Sequence, residues 1–447
     1  MDDLPLSIPT NPAPARPPES PDPNQKRRGA LAAGLALVWG AFTLLAQFTG
    51  ALDAFEEPLL DWRQSLNALP VKPSDQLALV AIDSIPEDRP WPWSRLDYSL
   101  VLRSLIDYAP QSVVFEMNLN DRDTEYASMD DTFSHIVQRA NTVVFAATVL
   151  MKKEKDATPL PAALDSLHTL GNTRLVPRFD SAIWPLNTFA GNSPVGINNP
   201  EAEADLTLRR LPLVFVLEGK MVPSLVLQAS AQLLGADLPS SEVQIGRAIF
   251  LRRKDGKLLR TVPIDDEGRM RIRFHPQPTT SWQTSYDNIM LFDDQIQHGI
   301  KPGQDLRELS KRQVWIGRTD SAERERYSTA AGQLSRVEIQ LQAERNILDQ
   351  DYVRPLPPMI LAAIYLLIGI AGSVALVRLG PLKAAALCVV LASFWLESAV
   401  LAFRLYNVIL PLPSFGLLLF GTYAVGILAL YWDLEPEVDP RQLPLEI

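Results

Sequence analysis

Two carboxylates, two arginines and two tryptophans lie close together between residues 83 and 116 of this 447-residue chain. Asp83 closes an apolar run at residues 77–82, and Glu116 closes another at residues 112–115. Between them stands Arg89-Pro90-Trp91-Pro92-Trp93-Ser94-Arg95, a proline-stiffened loop offering two cations and two large aromatic faces. In an open parallel sheet, ligands sit beyond the carboxyl ends of the strands, where both acids would project. Asp83, Arg89, Trp91, Trp93, Arg95 and Glu116 are therefore candidates for a small-molecule site. The same residues also fit a plain structural role, with Trp91 and Trp93 filling the edge of a core and Arg95 neutralising Asp83 or Glu116. Ser94 is suited to cap the helix that follows.

Asp121, Asp123, Asp130 and Asp131 form an oxygen-rich patch, and Asp123, Asp130 and Asp131 are candidates for a hard cation. Their spacing matches no defined calcium loop, and acids at the start of a helix are equally explained by its dipole. The four histidines, His135, His168, His275 and His298, show no metal-binding interval, so no metal or cofactor is expected. With no Gly-rich phosphate loop, Gly-x-Ser-x-Gly elbow or kinase-type set, the chain offers no catalytic constellation and is expected not to be an enzyme. Glu397 lies inside an apolar segment. An intramembrane carboxylate is a functional candidate by default, with structural pairing to water or Arg404 as the alternative.

These residues need elements to hold them. From residue 77 the pattern alternates: strand at 77–82, helix at 94–108, strand at 112–115, helix at 129–139, strand at 142–150. Strand and helix in turn, with strands apolar throughout, argue for an α/β domain with a mostly parallel sheet buried on both faces. Before it, residues 52–69 read as a helix with Phe55, Leu59, Trp62 and Leu66 on one face, and in the next helix Leu96, Leu100, Leu105 and Tyr108 fall at helical offsets. Residues 151–190 read as loop and insertion, 211–217 as strand, 222–234 as helix, 243–274 as short strands, and 313–316 as the last strand. A long helix then ends near Tyr352, with Leu334, Val337, Leu341 and Leu348 forming one apolar stripe.

Four apolar segments decide the topology. Residues 29–50 follow Lys26-Arg27-Arg28, a basic flank that stays inside, and read as an uncleaved transmembrane helix rather than a signal peptide. Residues 359–377, 384–403 and 405–432 read as three closing spans, with Arg378 and Lys383 flanking the first hinge. Four crossings put residues 51–358 outside the cytoplasm and residues 433–447 inside. Residues 1–28, with eight prolines in the first 25 positions, read as a disordered cytoplasmic tail. A net charge of −10 without a basic stripe argues against nucleic acid as a partner. The single cysteine, Cys388, excludes an intrachain disulfide.

Taken together, these features resemble the second type of CHASE domain, the extracellular sensory domain associated with bacterial cyclases and histidine kinases. The matching positions are Asp83, Trp91-Pro92-Trp93, Arg95, Glu116, Asp130-Asp131, Arg209-Arg210, Val262-Pro263-Ile264-Asp265 with Gly268, Ser285-Tyr286, Gly317 and Val337-Glu338-Ile339. Glu116 stands where that pattern usually has Asp, Ser94 where Pro is common, Thr329-Ala330 where Thr-Pro is expected, and Gln340-Leu341 where His-Ala is typical. The resemblance spans about residues 50–432. It implies a sensor in the bacterial inner membrane, in contact with the lipid bilayer, that takes an extracytoplasmic ligand. Relatives usually continue into an output domain; here the signal is expected to reach a separate cytoplasmic cyclase, kinase or other output protein.

A homodimer is compatible with this reading. The other classes in play are a transport or ion-conducting accessory protein using Glu397, and a static envelope scaffold. Coupling is expected to run through Val337, Glu338 and Leu341 and across the stiff Arg354-Pro355-Leu356-Pro357-Pro358 segment. The prolines Pro355, Pro357 and Pro358 equally fit simple helix termination before the membrane.

Overall fold

The computed structural model describes residues 23–66, 71–123, 128–150, 164, 167–276, 278–320 and 326–432. Of the proline-rich tail expected at 1–28, residues 1–22 lie outside these residues, as does the C-terminal tail at 433–447, while residues 23–28 are not disordered but form the start of the helix Pro23–Phe48. The chain divides into two compact units, Met1–Glu57 with Pro355–Leu401 and Leu410–Ile447, and Pro58–Arg354 with Ala402–Ile409.

The first unit is helical. Pro23–Phe48, Pro358–Leu379, Pro381–Tyr406 and Pro413–Tyr431 are long and apolar enough to cross a membrane. The first, second and fourth pack on one another at small residues. A Cβ on Gly421 would lie 1.8 Å from the Trp39 indole, and Trp39 Nε1 donates to the Leu417 carbonyl at 3.0 Å. Close approach at glycine replaces the hydrophobic drive that lipid removes. The final span begins at Pro413, not near Leu405 as the apolar pattern suggested. Asn407 takes a left-handed φ of 57°, and Pro411 and Pro413 cannot donate to a continuing helix.

The second unit is built on a sheet in the order Thr280–Ser285, Ser74–Ile82, Gln313–Arg318, Ser112–Phe115 and Val143–Leu150. Each of these neighbours is parallel to the next. Val195–Ile197 pairs parallel with Val143–Leu150, and Ser181–Ile183 pairs antiparallel with the same strand, Val143–Leu150. The continuous apolar strands are buried on both faces. Leu77, Leu79, Ala81 and Trp315 enter one core with the helices Leu225–Leu234 and Arg336–Asp349. Ala78, Val80, Ile82 and Ile316 enter the other with Arg95–Ile106, Ser128–Arg139 and Asn288–Gln297.

Several sequence expectations are corrected. Residues expected as loop between 151 and 190 include the short strands His168–Leu170, Arg178–Phe179 and Ser181–Ile183; most of 151–166 lies outside the described residues. In Arg95–Ile106 the buried stripe is Tyr98, Val101, Leu102 and Leu105, while Leu96 and Leu100 are exposed. In Asp53–Leu66 the aromatic side is the exposed one, with Phe55, Trp62 and Leu66 outward and Leu60 and Arg63 buried.

Candidate functional site

The carboxyl ends of the parallel strands gather the expected acids, but the structure separates them into distinct constellations. Asp83 follows Ile82, is exposed, and accepts a hydrogen bond from Ser285 Oγ at 2.7 Å. Glu116 follows Phe115 and is 1% exposed. Its carboxylate forms an ion pair with Arg336 and accepts from Gln340 Nε2 at 3.3 Å and Asn198 Nδ2 at 3.3 Å.

The tryptophan loop makes a second constellation. Trp93 is buried 4.8 Å from the Tyr286 ring and donates Nε1–H to the Arg89 carbonyl at 3.0 Å. The Arg89 guanidinium lies 3.9 Å over the Trp93 ring and pairs with Asp287 and, at 3.4 Å, with Asp97. Burial drives the Tyr98 and Tyr286 hydroxyls well above the ordinary tyrosine range. Trp91, preceding a cis proline, is half-buried; its ring meets Trp93 at 5.7 Å and the Arg318 guanidinium at 5.0 Å. Arg318 pairs with Asp320 at 2.8 Å. Ser94 stands at the N-cap, yet its hydroxyl donates to Asp97 at 3.1 Å rather than capping the backbone.

Arg95 does not neutralise Asp83 or Glu116. Its buried guanidinium lies 3.3 Å from Asp130, donates to the Asp121 carbonyl and sits 5.6 Å over the Phe189 ring. Its backbone N–H donates to Asp123, whose own N–H donates to Asp130 at 3.2 Å. Two of the three acids considered for a cation thus surround an arginine, and Asp131 points outward. Among the described residues no group of three or more His, Cys, Asp or Glu could hold a metal ion.

The helix Arg336–Asp349 connects to this edge directly, since Arg336 and Gln340 on its first turns hold Glu116. Glu338 accepts from Ser335 N–H at 2.8 Å and Ser335 Oγ at 2.7 Å, closing a capping box. Val337 and Leu341 are buried, and Gly317 is glycine for a local reason: a Cβ there would lie 2.6 Å from Val337 Cβ. The expected single apolar stripe is too narrow a description. Gln340, Gln342, Glu344, Arg345 and Asn346 are buried as well. Glu344 is pushed up to about 8 by burial, against weaker lowering by Trp315 and Ser230.

Sequence reasoning missed Arg336, Gln340 and Asn198 as partners of Glu116. The available signal was Gln340 itself, which departs from the expected His-Ala pattern and donates to Glu116, itself a departure from Asp. It also left Arg209 without a role. Arg209 is 3% exposed and pairs with Asp61 at 2.7 Å, Glu203 at 3.0 Å and Asp205 at 2.7 Å, an ionic knot inside the second unit. The hydrogen bond from Arg209 holds Asp205 below the usual carboxylate range.

Pro357 is the N-cap residue and Pro358 the first residue of Pro358–Leu379, with Pro355 three positions before. Glu397 is exposed on Pro381–Tyr406 and makes no hydrogen bond or ion pair with a described residue.

The family model of the CHASE2 domain matches residues 34–376, more than three quarters of the chain. No curated protein and no solved structure matches. The α/β sheet, the four apolar helices and this match agree: the chain belongs to the CHASE2 domain family of extracellular sensory domains.

Proposed function

We propose that this protein is a multi-pass inner-membrane sensor or regulatory subunit with residues 51–358 outside the cytoplasm and both termini inside. The outer α/β domain takes a small ligand at the carboxyl edge of its sheet, around Asp83, Trp91 and Arg318. It passes the event through the membrane helices to a separate cytoplasmic effector, a cyclase, kinase or other output protein. The observation that carries this reading is the link from Glu116 to Arg336 and Gln340. It ties the strand edge where α/β sheets bind ligands to the first turns of a helix that ends at Asp349, nine positions before the span beginning at Pro358. A shift at the edge is thereby presented to the chain segment entering the membrane, and the prolines at 355, 357 and 358 limit how much of it is absorbed. A coupling of about 1–3 kcal/mol is typical of such devices.

The test appends a cyclase catalytic domain after Trp432 and reads its activity in cells across growth media. Medium-dependent activity should disappear in Trp91→Ala and Asp83→Asn and be uncoupled when Pro355, Pro357 and Pro358 become Gly-Ser residues. Activity indifferent to all three changes would contradict the proposal.

A further inference from the structure

Glu397 is the one acidic residue in the four spans. Its helix, Pro381–Tyr406, has 26 residues and is therefore about 39 Å long, with Glu397 roughly 5 Å from its midpoint. In a hydrocarbon core of about 30 Å the carboxyl group lies on the order of 10 Å from the nearer interface. An unpartnered carboxyl there is costly in either protonation state.

The inward side of this helix is marked by Trp395. Its Nε1–H donates to the Pro411 carbonyl at 2.9 Å, and its ring stacks on Phe415 at 4.2 Å. Ser393 and Glu397 each stand two residues from Trp395, about 200° around the helix, and both are turned outward. This is also the least enclosed span: 17% of its apolar stretch is buried, against 28%, 33% and 44% for the others. Ala386, Val390, Ser393 and Glu397 fall on one outward seam, and Ala386 and Ser393 are small enough to let another backbone approach.

We propose that this seam is a homodimer interface within the bilayer, in which the Glu397 carboxyl group accepts a hydrogen bond from the hydroxyl of Ser393 of the partner subunit. The occupant follows from chemistry. A serine hydroxyl donates to a carboxyl oxygen, and Ser393 and Glu397 share one seam, so a two-fold arrangement satisfies each carboxyl with the other copy's hydroxyl, as an isologous contact requires. Between Lys383 and Arg404 the helix offers no cation, so hydroxyl and carboxyl groups are what a second copy brings. The inference rests on this helix being a span and not on where the outer domain takes its ligand.

The test uses the full chain in proteoliposomes, in a Cys388→Ser background. Val390→Cys should give oxidative cross-links and Leu391→Cys, on the inward side, should not. Energy transfer measured across protein-to-lipid ratios should show Glu397→Leu weakening association about 5- to 30-fold, with Glu397→Gln retaining most of it. Correctly inserted protein that is monomeric at every ratio would overturn the interface while leaving the sensor reading intact. Association unchanged in Glu397→Leu would overturn it too.

Discussion

The Trp315 indole Nε1–H donates to Glu344 Oε2 at 2.6 Å, and both side chains are sealed from solvent. The other carboxyl oxygen faces Ser230 Oγ at 3.5 Å. The elements around it, Gln313–Arg318 and Leu225–Leu234, place no charged group against it: Arg318 is engaged with Asp320, and Leu225–Leu234 has no titratable side chain. On the helix itself Arg345 turns to the Lys72 carbonyl and Asp349.

A folded-state value near 8, against 4.5 in the unfolded chain, means the native state holds a proton that the unfolded state releases. Stability is then fully present below about 4.5 and falls as pH rises to about 8, by an amount on the order of a few kcal/mol. Glu344→Gln should remove that slope. Thermal unfolding of the detergent-solubilised chain between pH 5 and 8.5 should show Tm falling with pH less steeply in the variant; equal slopes would refute the assignment.

Arg336→Ala strips a buried carboxylate of its cation. A loss of about 3–5 kcal/mol is expected, because the Arg336 ion pair to a sealed carboxylate would be lost. Pairing the change with Glu116→Gln should recover a large part of it. Denaturant unfolding of the two single variants and the double variant measures the coupling, and strict additivity would contradict it.

Gly317→Ala places a methyl 2.6 Å from Val337 Cβ. The overpacking should cost about 1–3 kcal/mol, and Val337→Gly, which removes that Cβ, should relieve part of it, so the double variant should be more stable than the sum of the singles predicts. Loss of stability with no rescue would mean that the strain lies elsewhere.

The two tryptophans of the loop should part company. Trp93→Ala removes a buried ring from the Tyr98–Tyr286 cluster and should cost about 3–5 kcal/mol. Trp91, half-buried against Arg318, should cost far less in Trp91→Ala and instead lose response. Unfolding midpoints beside the cyclase reporter distinguish the two roles; a response lost only in Trp93→Ala would reverse them.

The central strands were legible because continuous apolar runs such as residues 77–82 have one structural meaning between helices. Their order was not. Gln313–Arg318 enters between Ser74–Ile82 and Ser112–Phe115 from about 200 residues away, and no local pattern records such a neighbour. Helix faces were misread where a shorter apolar repeat competed with a richer one, as Leu96 and Leu100 did with Tyr98, Val101, Leu102 and Leu105. At the site, the residue types were visible but their pairing was not: Arg95 was expected to neutralise Asp83 or Glu116 and instead folds onto Asp130. Glu344 was missed because Gln342-Ala343-Glu344-Arg345-Asn346 reads as a solvated helix face, whereas burial there is decided by the sheet and the helix Leu225–Leu234 packed over it.

The central claim is that the α/β domain stands outside the membrane and reports inward, and its topology is the most direct point to measure. In a Cys388→Ser background, a cysteine replacing the exposed Asp255 should be labelled in intact cells by a membrane-impermeant thiol reagent. A cysteine replacing Lys383, at the hinge between the second and third spans, should be labelled only after the membrane is opened. The reverse pattern would place the domain in the cytoplasm and contradict the account.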